Sequence, residues 1–245
     1  MTEKTIVIQK QGQIWILEIN RPEVQNKLSI LCMEELKQAL EEASADAECR
    51  AVVLAGGREW FCAGGDLGDY RKKTVLEIKE FGKAFIELHL AMQKCCRPII
   101  AAVEGKAYGG GCSLAEACDL AVASENAEFA VPEILDGLAP AMGFSGLFSN
   151  LRKKEAMSMA LLGEKLDAFR AKELGLVNRT VPKGEALSAA LELAGQLSDY
   201  DPLCVRLFKE MYADMGERAY ENRLKTGQAM MIAMFKAKGE EDELI

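Results

Sequence analysis

Two glycine-rich segments and one proline–glutamate pair are the parts of this sequence whose residue types could carry out chemistry. Residues 60–67 contain two consecutive glycines, residues 105–113 contain three, and Pro132 precedes Glu133. Glycines at the end of a strand let the backbone approach a ligand closely. Three glycines before a helix leave N–H groups free at its positive end, which favours a negatively charged oxygen. Glu133 lies beside a proline suited to a first helical turn, and its carboxylate could transfer protons.

Each of these segments also has a purely structural interpretation. A Gly-Gly-Asp sequence is common in turns, and a glutamate at a helix N-terminus often does no more than complement the helix dipole. Neither glycine segment fits a dinucleotide-binding fingerprint or a phosphate-binding loop, because no GxGxxG follows the first strand and no GKS or GKT occurs. Taken one at a time, the segments do not identify a function.

The elements that would position these segments alternate between strands and helices. The predicted strands are residues 5–9, 13–19, 51–55, 98–103, 119–123 and part of 175–181, and the predicted helices are residues 29–45, 74–93 and most of the chain after residue 151. This alternation predicts an α/β fold with mostly parallel strand pairing. Each glycine segment follows a predicted buried strand, so both glycine segments are expected at strand ends.

Composition restricts the possible partners. The chain has 245 residues, 49% of them hydrophobic, and a net charge of −8, which describes a soluble globular protein. The negative charge disfavours long nucleic acids and anionic membranes. We find no apolar run near 18 residues and no signal-peptide core at the N-terminus, so we expect a cytoplasmic protein with no membrane partner.

Cysteine and histidine usage argues against disulfides and metal sites. The eight cysteines form no CxxC pair, and the chain has one histidine, so we expect free thiols that pack as small hydrophobes and no metal centre. His89 lies on the apolar stripe of the helix at residues 74–93 and is predicted to pack rather than to act in catalysis. Cys112 begins a helix, where a thiol pKa falls, but burial is the simpler expectation.

The segments together, in their order along the chain, resemble the crotonase superfamily, the enoyl-CoA hydratase/isomerase family. The match rests on Arg21-Pro22 with Asn26, on FCAGGDL at 61–67, AYGGGC at 107–112, ACDLAVAS at 117–124, AVPEILDGLAP at 130–140 and the AxELGLV sequence within 171–181. The resemblance implies a spiral of ββα turns and a homotrimer, or a hexamer of two trimers, formed through C-terminal helices. It implies acyl-CoA thioesters as substrates and no metal or redox cofactor. Residues 1–200 would form the acyl-CoA-binding α/β core and residues 201–245 a helical oligomerisation extension.

By the same resemblance, two backbone N–H groups receive the thioester oxygen, and their positions correspond to Gly65 and Gly110. Preorganised donors of this kind stabilise the enolate oxygen, and removing one typically costs about 2.7–4 kcal/mol. Gly109, in the same turn, is a further expected contact with the substrate. The adenine end of CoA is expected near three residues of the first segment: Ala63, Asp66 and Leu67.

The CoA phosphates need a cation, and here the sequence departs from the family. Family members often carry a basic residue where this chain has Glu23, in the segment 23–28 that would run along the pantetheine and phosphates. Lys27 is the nearest candidate to replace it. Phe235 and Lys236 from the tail of a neighbouring subunit are the alternatives.

A missing carboxylate bears on the reaction. Hydratases of the family carry one glutamate after the glycine turn and another in the Pro-Glu segment, whereas this chain has Ser113 and Glu133. Hydration needs a group that activates water and a proton source for C2. A serine hydroxyl is a poor base without help, and the sequence offers no second histidine or evident lysine. Moving a double bond needs one base in a dry pocket, so we predict isomerisation of 3-enoyl-CoA to 2-enoyl-CoA by Glu133.

Two alternatives stay open at this point. One is a hydratase, or a related lyase or decarboxylase, that uses Glu133 with an ordered water, with Asp136 or Glu116 one helical turn away as a second acid. The other is a protein that binds acyl-CoA without converting it. The sequence does not give the acyl-chain specificity, although four bulky residues could line the pocket: Met142, Phe144, Leu147 and Phe148.

Overall fold

The computed structural model describes residues 4–69, 72–143 and 151–215, and these residues form two sheets and seven α-helices. The strands are β1 (Ile6–Gln11), β2 (Ile14–Ile19), β3 (Ala51–Ala55), β4 (Trp60–Cys62), β5 (Ile99–Val103), β6 (Lys106–Tyr108), β7 (Leu120–Ser124), β8 (Glu128–Ala130), β9 (Leu166–Asp167) and β10 (Arg179–Val181). The helices are α1 (Ile30–Ala45), α2 (Val75–Lys94), α3 (Gly110–Glu116), α4 (Lys153–Leu162), α5 (Ala168–Glu173), α6 (Ala186–Ser198) and α7 (Pro202–Met215). Two 3₁₀ helices cover Pro22–Val24 and Pro132–Asp136.

The larger sheet has six strands in the order β1-β2-β3-β5-β7-β10. The β1–β2 hairpin is antiparallel and turns at Gly12, whose φ is +58°. All other neighbours in this sheet are parallel. β3 and β5 are buried along their whole length, which explains their unbroken apolar runs, since strands covered on both faces need no polar alternation. The predicted α/β class with mostly parallel pairing is confirmed.

The smaller sheet, in the order β4-β6-β8-β9, carries the three segments whose residues could take part in chemistry. β4, β6 and β8 are parallel neighbours, and they follow β3, β5 and β7 of the larger sheet, so the chain repeats a two-strand unit. The first glycine segment follows β4, the second follows β6, and the Pro-Glu pair follows β8. Because the carboxyl ends of parallel strands meet at one edge, this sheet brings all three segments together.

Helices cover the larger sheet on both faces. α6 contributes Ala190, Leu193 and Ala194 to a buried cluster with Val53 and Ile100 on one face. The other face belongs to the main core, in which α1 and α2 pack against each other and against the strands. Ser29 caps α1 through a hydrogen bond from the Cys32 N–H, and Thr74 forms a capping box with Glu77 at the start of α2.

Some helix and strand boundaries predicted from the sequence differ from those in the structure. The helix after the glycine turn begins at Gly110, so two of the three glycines lie inside it and Gly109 is its N-cap. The strand predicted at 119–123 covers Leu120–Ser124. Phe235 and Lys236 lie outside the described residues, and the division at residue 200 stays a prediction. In the part of the chain that is described, no helix is long and apolar enough to cross a membrane.

Candidate active site

The first glycine segment is held in place by residues 25–28. The Leu28 N–H donates to the Gly64 carbonyl at 2.8 Å, and the Asp66 N–H donates back to the Leu28 carbonyl at 2.8 Å. The Ala63 N–H donates to the Gln25 carbonyl at 3.1 Å. These bonds hold residues 25–28, and with them Lys27, beside the glycines, and the binding of the CoA phosphates by Lys27 stays a prediction.

Arg21 and Asn26, two of the motif residues, fasten these two segments to each other. Asn26 is buried with φ +56°, a conformation that asparagine tolerates better than most residues. Its side chain accepts the Arg21 N–H at 2.8 Å and donates to the Trp60 carbonyl at 2.9 Å. The Arg21 guanidinium donates to the Lys27 carbonyl and pairs with Asp66 at 2.8 Å. The carboxylate of Asp66 is therefore engaged within the protein, and its contact with adenine stays a prediction.

The backbone nitrogens of Gly65 and Gly110 lie close together where the two glycine segments meet. A Cβ atom added to Gly110 would lie 3.7 Å from the Gly65 nitrogen, and one added to Gly64 would lie 3.4 Å from the Gly110 nitrogen. Gly64 has φ +100° and Gly109 has φ +51°, conformations that favour glycine. Among the described residues, no hydrogen bond takes up the N–H of Gly65 or Gly110. Two neighbouring N–H groups without a partner could together hold a negatively charged oxygen, and the role of Gly65 and Gly110 as oxyanion donors stays a prediction.

Aromatic side chains of α2 pack directly against this pair. A Cβ atom on Gly65 would come within 2.8 Å of the Phe81 ring, and one on Gly110 within 3.1 Å of the Phe85 ring. Such distances leave no room for a larger residue at Gly65 without a shift of Phe81. The glycines therefore serve close packing as well as backbone conformation.

The carboxylate of Glu133 lies against the second glycine segment. Its Oε1 atom would be 2.6 Å from a Cβ atom on Gly109 and 3.0 Å from one on Gly143. Its Oε2 atom is buried and has no hydrogen-bond partner in the described part of the chain. Burial raises the pKa of the Glu133 carboxyl above its ordinary value, and the charge of Asp136 raises it further. A desolvated carboxylate with a raised pKa suits proton transfer near neutral pH.

A cavity of about 300 Å³ joins most of the predicted site residues. Its lining includes Lys27, Ala63, Gly65, Gly109 and Glu133, together with Gln25, Trp60, Gly64, Tyr108, Pro132 and Asp136. Asp66 and Leu67 instead line a second cavity of about 300 Å³ beside Phe81 and the start of α1. Gly110 and Ser113 line neither cavity. The structure thus brings the predicted base and one oxyanion donor into one space.

Ser113 has a partner that the sequence did not predict. Its hydroxyl lies 3.0 Å from Nε2 of His89, and Nδ1 of His89 lies 3.0 Å from the Phe85 carbonyl. His89 is buried on α2, as expected, and it also forms a hydrogen bond with Ser113 that the sequence analysis did not expect. The apolar stripe of α2 correctly placed His89 on the buried side of the helix, but 24 residues separate it from Ser113 and no local pattern connects them.

The remaining described residues that the sequence analysis considered do not line the cavity that contains Glu133. Glu23 is exposed, and neither Glu116 nor Met142 lines either cavity. Phe144, Leu147 and Phe148 lie outside the described residues. None of the eight cysteines forms a disulfide, and burial raises the pKa of the Cys112 thiol, which makes it a poor nucleophile. Among the described residues, no group of three potential ligands could hold a metal ion.

Comparison with known proteins decides the family. The sequence model described as "Enoyl-CoA hydratase/isomerase" matches residues 9–244. The chain belongs to this family. It is 32% identical to a probable enoyl-CoA hydratase of Rhizobium meliloti, over 99% of this chain and 94% of that protein. It is 33% identical to the short-chain-enoyl-CoA hydratase of Clostridium acetobutylicum, over 86% of this chain and 81% of that protein.

Structural comparison agrees with this family assignment. The crystal structure of an enoyl-CoA hydratase from Mycobacterium smegmatis superposes with a TM-score of 0.90 at 30% identity, covering 94% of this chain and 91% of that one. This confirms the crotonase-type fold. As a member of the enoyl-CoA hydratase/isomerase family, the chain is an acyl-CoA-processing enzyme.

Proposed function

We propose that this enzyme converts 3-enoyl-CoA thioesters to 2-enoyl-CoA thioesters with Glu133 as its base. One observation carries the proposal: the Glu133 Oε2 atom is buried without a partner, and Glu133 lines the cavity that residues of both glycine segments also line. A buried carboxylate oxygen without a hydrogen bond is costly to the fold. Its position beside the oxyanion arrangement gives that cost a catalytic reason.

The reaction needs two groups that this site supplies. The N–H groups of Gly65 and Gly110 hold the thioester oxygen, so that it can accept negative charge. Glu133 removes a proton from C2, which gives a dienolate, and then returns the proton to C4. The charge that develops on the oxygen is stabilised by the two donors, which are fixed in advance by the backbone. No proton has to come from a second carboxylate.

The CoA portion would enter beside the first glycine segment. Lys27 lines the same cavity as Glu133 and is the cation that we propose for the CoA phosphates. The reaction itself requires neither a metal nor a redox cofactor. The trimer or hexamer expected from the family resemblance, and a cytoplasmic location, stay predictions.

Hydration is the second candidate, and the names of the relatives favour it. In this reaction a protonated Glu133 would deliver its proton to C2 while water attacks C3. Water is a weak nucleophile at neutral pH, so a group on the opposite side must accept its proton. Whether the site supplies such a group determines whether the enzyme catalyses hydration as well as isomerisation.

A side-by-side assay of purified protein tests the proposal. Turnover of 3-enoyl-, 2-enoyl- and 3-hydroxyacyl-CoA would be measured for the wild type and for Glu133→Gln. We expect isomerisation by the wild type and a loss of about 10²–10⁴-fold in kcat for the variant, as is typical for removing a general base. Glu125→Gln, the same change at an exposed glutamate, should keep wild-type turnover.

Two results would contradict the proposal. Full isomerisation by Glu133→Gln would exclude Glu133 as the base. Tight binding of the thioester by the wild type, with no product from any enoyl-CoA, would instead support an acyl-CoA-binding protein without catalysis.

A further inference from the structure

The two cavities adjoin each other at the first glycine segment. Gly65 lines the cavity that contains Glu133, and the next residue, Asp66, lines the second cavity. The neighbouring segment divides in the same way, with Lys27 at the first cavity and Ser29 at the second. Consecutive Cα atoms are about 3.8 Å apart, so the second cavity begins about one residue away from the cavity of the proposed base.

The ring of Phe81 forms the boundary on the α2 side. A Cβ atom on Gly65 would lie 2.8 Å from Cζ and 3.2 Å from Cε1 of Phe81, and Phe81 itself lines the second cavity. Phe85, one helical turn further along α2, lies against Gly110 in a similar way, but it is 4% exposed and lines neither cavity. Of the two rings, Phe81 is therefore the one whose removal would open a path between the cavities.

The second cavity offers a ligand mainly apolar surface. Four of the side chains that line it are apolar: Ile30, Leu31, Leu67 and Phe81. Polar side chains of the lining are already engaged within the protein. The Ser29 hydroxyl accepts the Cys32 N–H, and Asp66 pairs with Arg21 at 2.8 Å. What the cavity can add to binding is therefore the burial of hydrocarbon.

The charges around the second cavity disfavour the phosphate end of CoA. Lys73 is the one cation among the described residues that line it, and its ammonium group pairs with Glu77 at 3.1 Å. The Glu77 carboxylate also accepts hydrogen bonds from the N–H and the hydroxyl of Thr74, which fix its position. Glu80 adds a further negative charge to the lining. Apolar walls and a paired cation suit an acyl chain and not a phosphate.

We propose that Phe81 is a specificity-determining residue, which confines the acyl group to the cavity of Glu133 and so restricts the enzyme to short-chain enoyl-CoA thioesters. The second cavity receives the end of a longer acyl chain only when this ring is removed. A thioester oxygen held at the Gly65 N–H places the acyl group beside Phe81, and a methylene group for which a pocket has no room costs about tenfold or more. This inference rests on the proposed function and names the acyl-chain length that its site accepts.

The first experiment measures the chain-length preference of the full chain. The kcat/KM values for 3-hexenoyl-CoA and 3-decenoyl-CoA would be determined for the wild type, Phe81→Ala and Ile86→Ala. We expect the wild type to prefer 3-hexenoyl-CoA by at least about 100-fold. Phe81→Ala should reduce this preference at least about tenfold, because each methylene group that becomes buried contributes about fourfold in affinity. Ile86→Ala truncates an exposed side chain of the same helix that lines neither cavity, and it should keep the wild-type preference.

A double variant tests where the longer chain lies. Leu31 lines the second cavity from α1 and is 52% exposed, so Leu31→Trp can fill the cavity without disturbing the core. In Phe81→Ala with Leu31→Trp, the gain with 3-decenoyl-CoA should disappear. Free coenzyme A has no acyl chain, and its Kd should be the same for the double variant and for Phe81→Ala. Weaker binding of free coenzyme A by the double variant would place the adenine end in the second cavity and overturn the inference.

A binding measurement gives the same information without turnover. Hexanoyl-CoA and decanoyl-CoA lack the double bond on which the reaction acts, so calorimetry can measure their Kd values for each variant. We expect the Kd ratio of the two ligands to shift in Phe81→Ala in favour of decanoyl-CoA by about tenfold. Thermal denaturation shows whether Phe81→Ala is folded, and Phe81→Leu, a smaller truncation, makes the same test with a milder change to the packing.

The outcomes distinguish this inference from the proposed function. The inference is overturned by a wild type that accepts both chain lengths equally, by Phe81 variants that keep the wild-type preference, or by a double variant that retains the gain with 3-decenoyl-CoA. The proposed function fails on a different result, namely a wild type without isomerisation or a Glu133→Gln variant that retains it. Neither of those results would alter the Kd ratios of the saturated acyl-CoA ligands.

Discussion

Glu133 and Ser113 are the residues that the family resemblance aligns with the two carboxylates of hydratases, and their surroundings are opposite. Glu133 has one oxygen that is buried without a partner, whereas the hydroxyl of the fully buried Ser113 is bonded to His89. An unpaired buried group destabilises the fold, and a paired one contributes to it. Under the proposed mechanism, the destabilising unpaired oxygen belongs to the residue that exchanges a proton with carbon.

The same contrast extends to the elements that carry the two residues. Glu133 lies in a short 3₁₀ helix after β8, and its carboxylate is positioned mainly by contact with Gly109. Ser113 lies inside α3, behind an aromatic layer from α2. The position of the Glu133 carboxylate depends on the absence of a side chain at Gly109, and that of the Ser113 hydroxyl depends on a hydrogen bond between two helices. The position of either side chain can therefore be perturbed without changing the other.

The largest effect is expected from filling the space beside Glu133. In Gly109→Ala the new Cβ would lie 2.6 Å from the Glu133 Oε1 atom, and φ +51° would strain the alanine. The carboxylate must move, and a displacement of about 1 Å can cost about 100-fold in rate. We expect that loss in isomerisation kcat, together with about 1–3 kcal/mol of strain in the free energy of unfolding, because φ +51° with ψ −120° is a combination that glycine adopts far more readily than alanine.

Gly175→Ala is the matched control for this change. Gly175 also has a positive φ, +82°, but a Cβ atom there would meet nothing within 4 Å. The strain should lower its thermal stability by a similar amount and leave kcat unaltered. Equal losses of activity in the two variants would mean that general destabilisation, rather than the position of Glu133, limits turnover.

The hydrogen bond of Ser113 should be visible as a coupling energy. Ser113→Ala leaves Nε2 of His89 without its partner, which typically costs about 1–3 kcal/mol in the free energy of unfolding. Adding His89→Phe removes the unpaired nitrogen and retains the stacking on Phe85, so the double variant should regain part of that loss. Chemical denaturation of the three variants gives the coupling, and strictly additive effects would argue against the bond.

Much of the fold followed from the sequence because its strongest signals are local. The runs at 51–55 and 99–103 are entirely apolar and are observed as buried strands, and the capping residues Ser29 and Thr74 mark where α1 and α2 begin. The smaller sheet was not predicted. Its strands β4, β6 and β8 have three residues each, which is too short for any periodicity to show.

The site was predictable where backbone conformation demands a residue type. Gly64 and Gly109 have positive φ, and Asn26 has a left-handed conformation, so the chemistry of each position is visible in its residue type. The His89–Ser113 bond was not predictable, because it depends on how α2 packs against α3. A histidine on an apolar stripe has the same pattern whether its ring packs or accepts a proton.

The smallest effect is the pH dependence of stability in Glu133→Gln. Burial raises the folded-state pKa of Glu133 above the ordinary 4.5 of the unfolded chain. The stabilisation from this group is fully present below the unfolded pKa, where the carboxyl is protonated in both states. It is lost as the pH rises through the folded-state pKa, because the buried carboxylate then has to ionise.

Glutamine resembles the protonated carboxyl and does not titrate. The variant should therefore gain stability relative to the wild type between pH 4 and pH 7, as measured by denaturation at each pH, while Glu125→Gln shows no such trend. A variant that is less stable than the wild type at pH 7 would mean that the ionised Glu133 is stabilised by a partner, and the contrast with Ser113 would then fail.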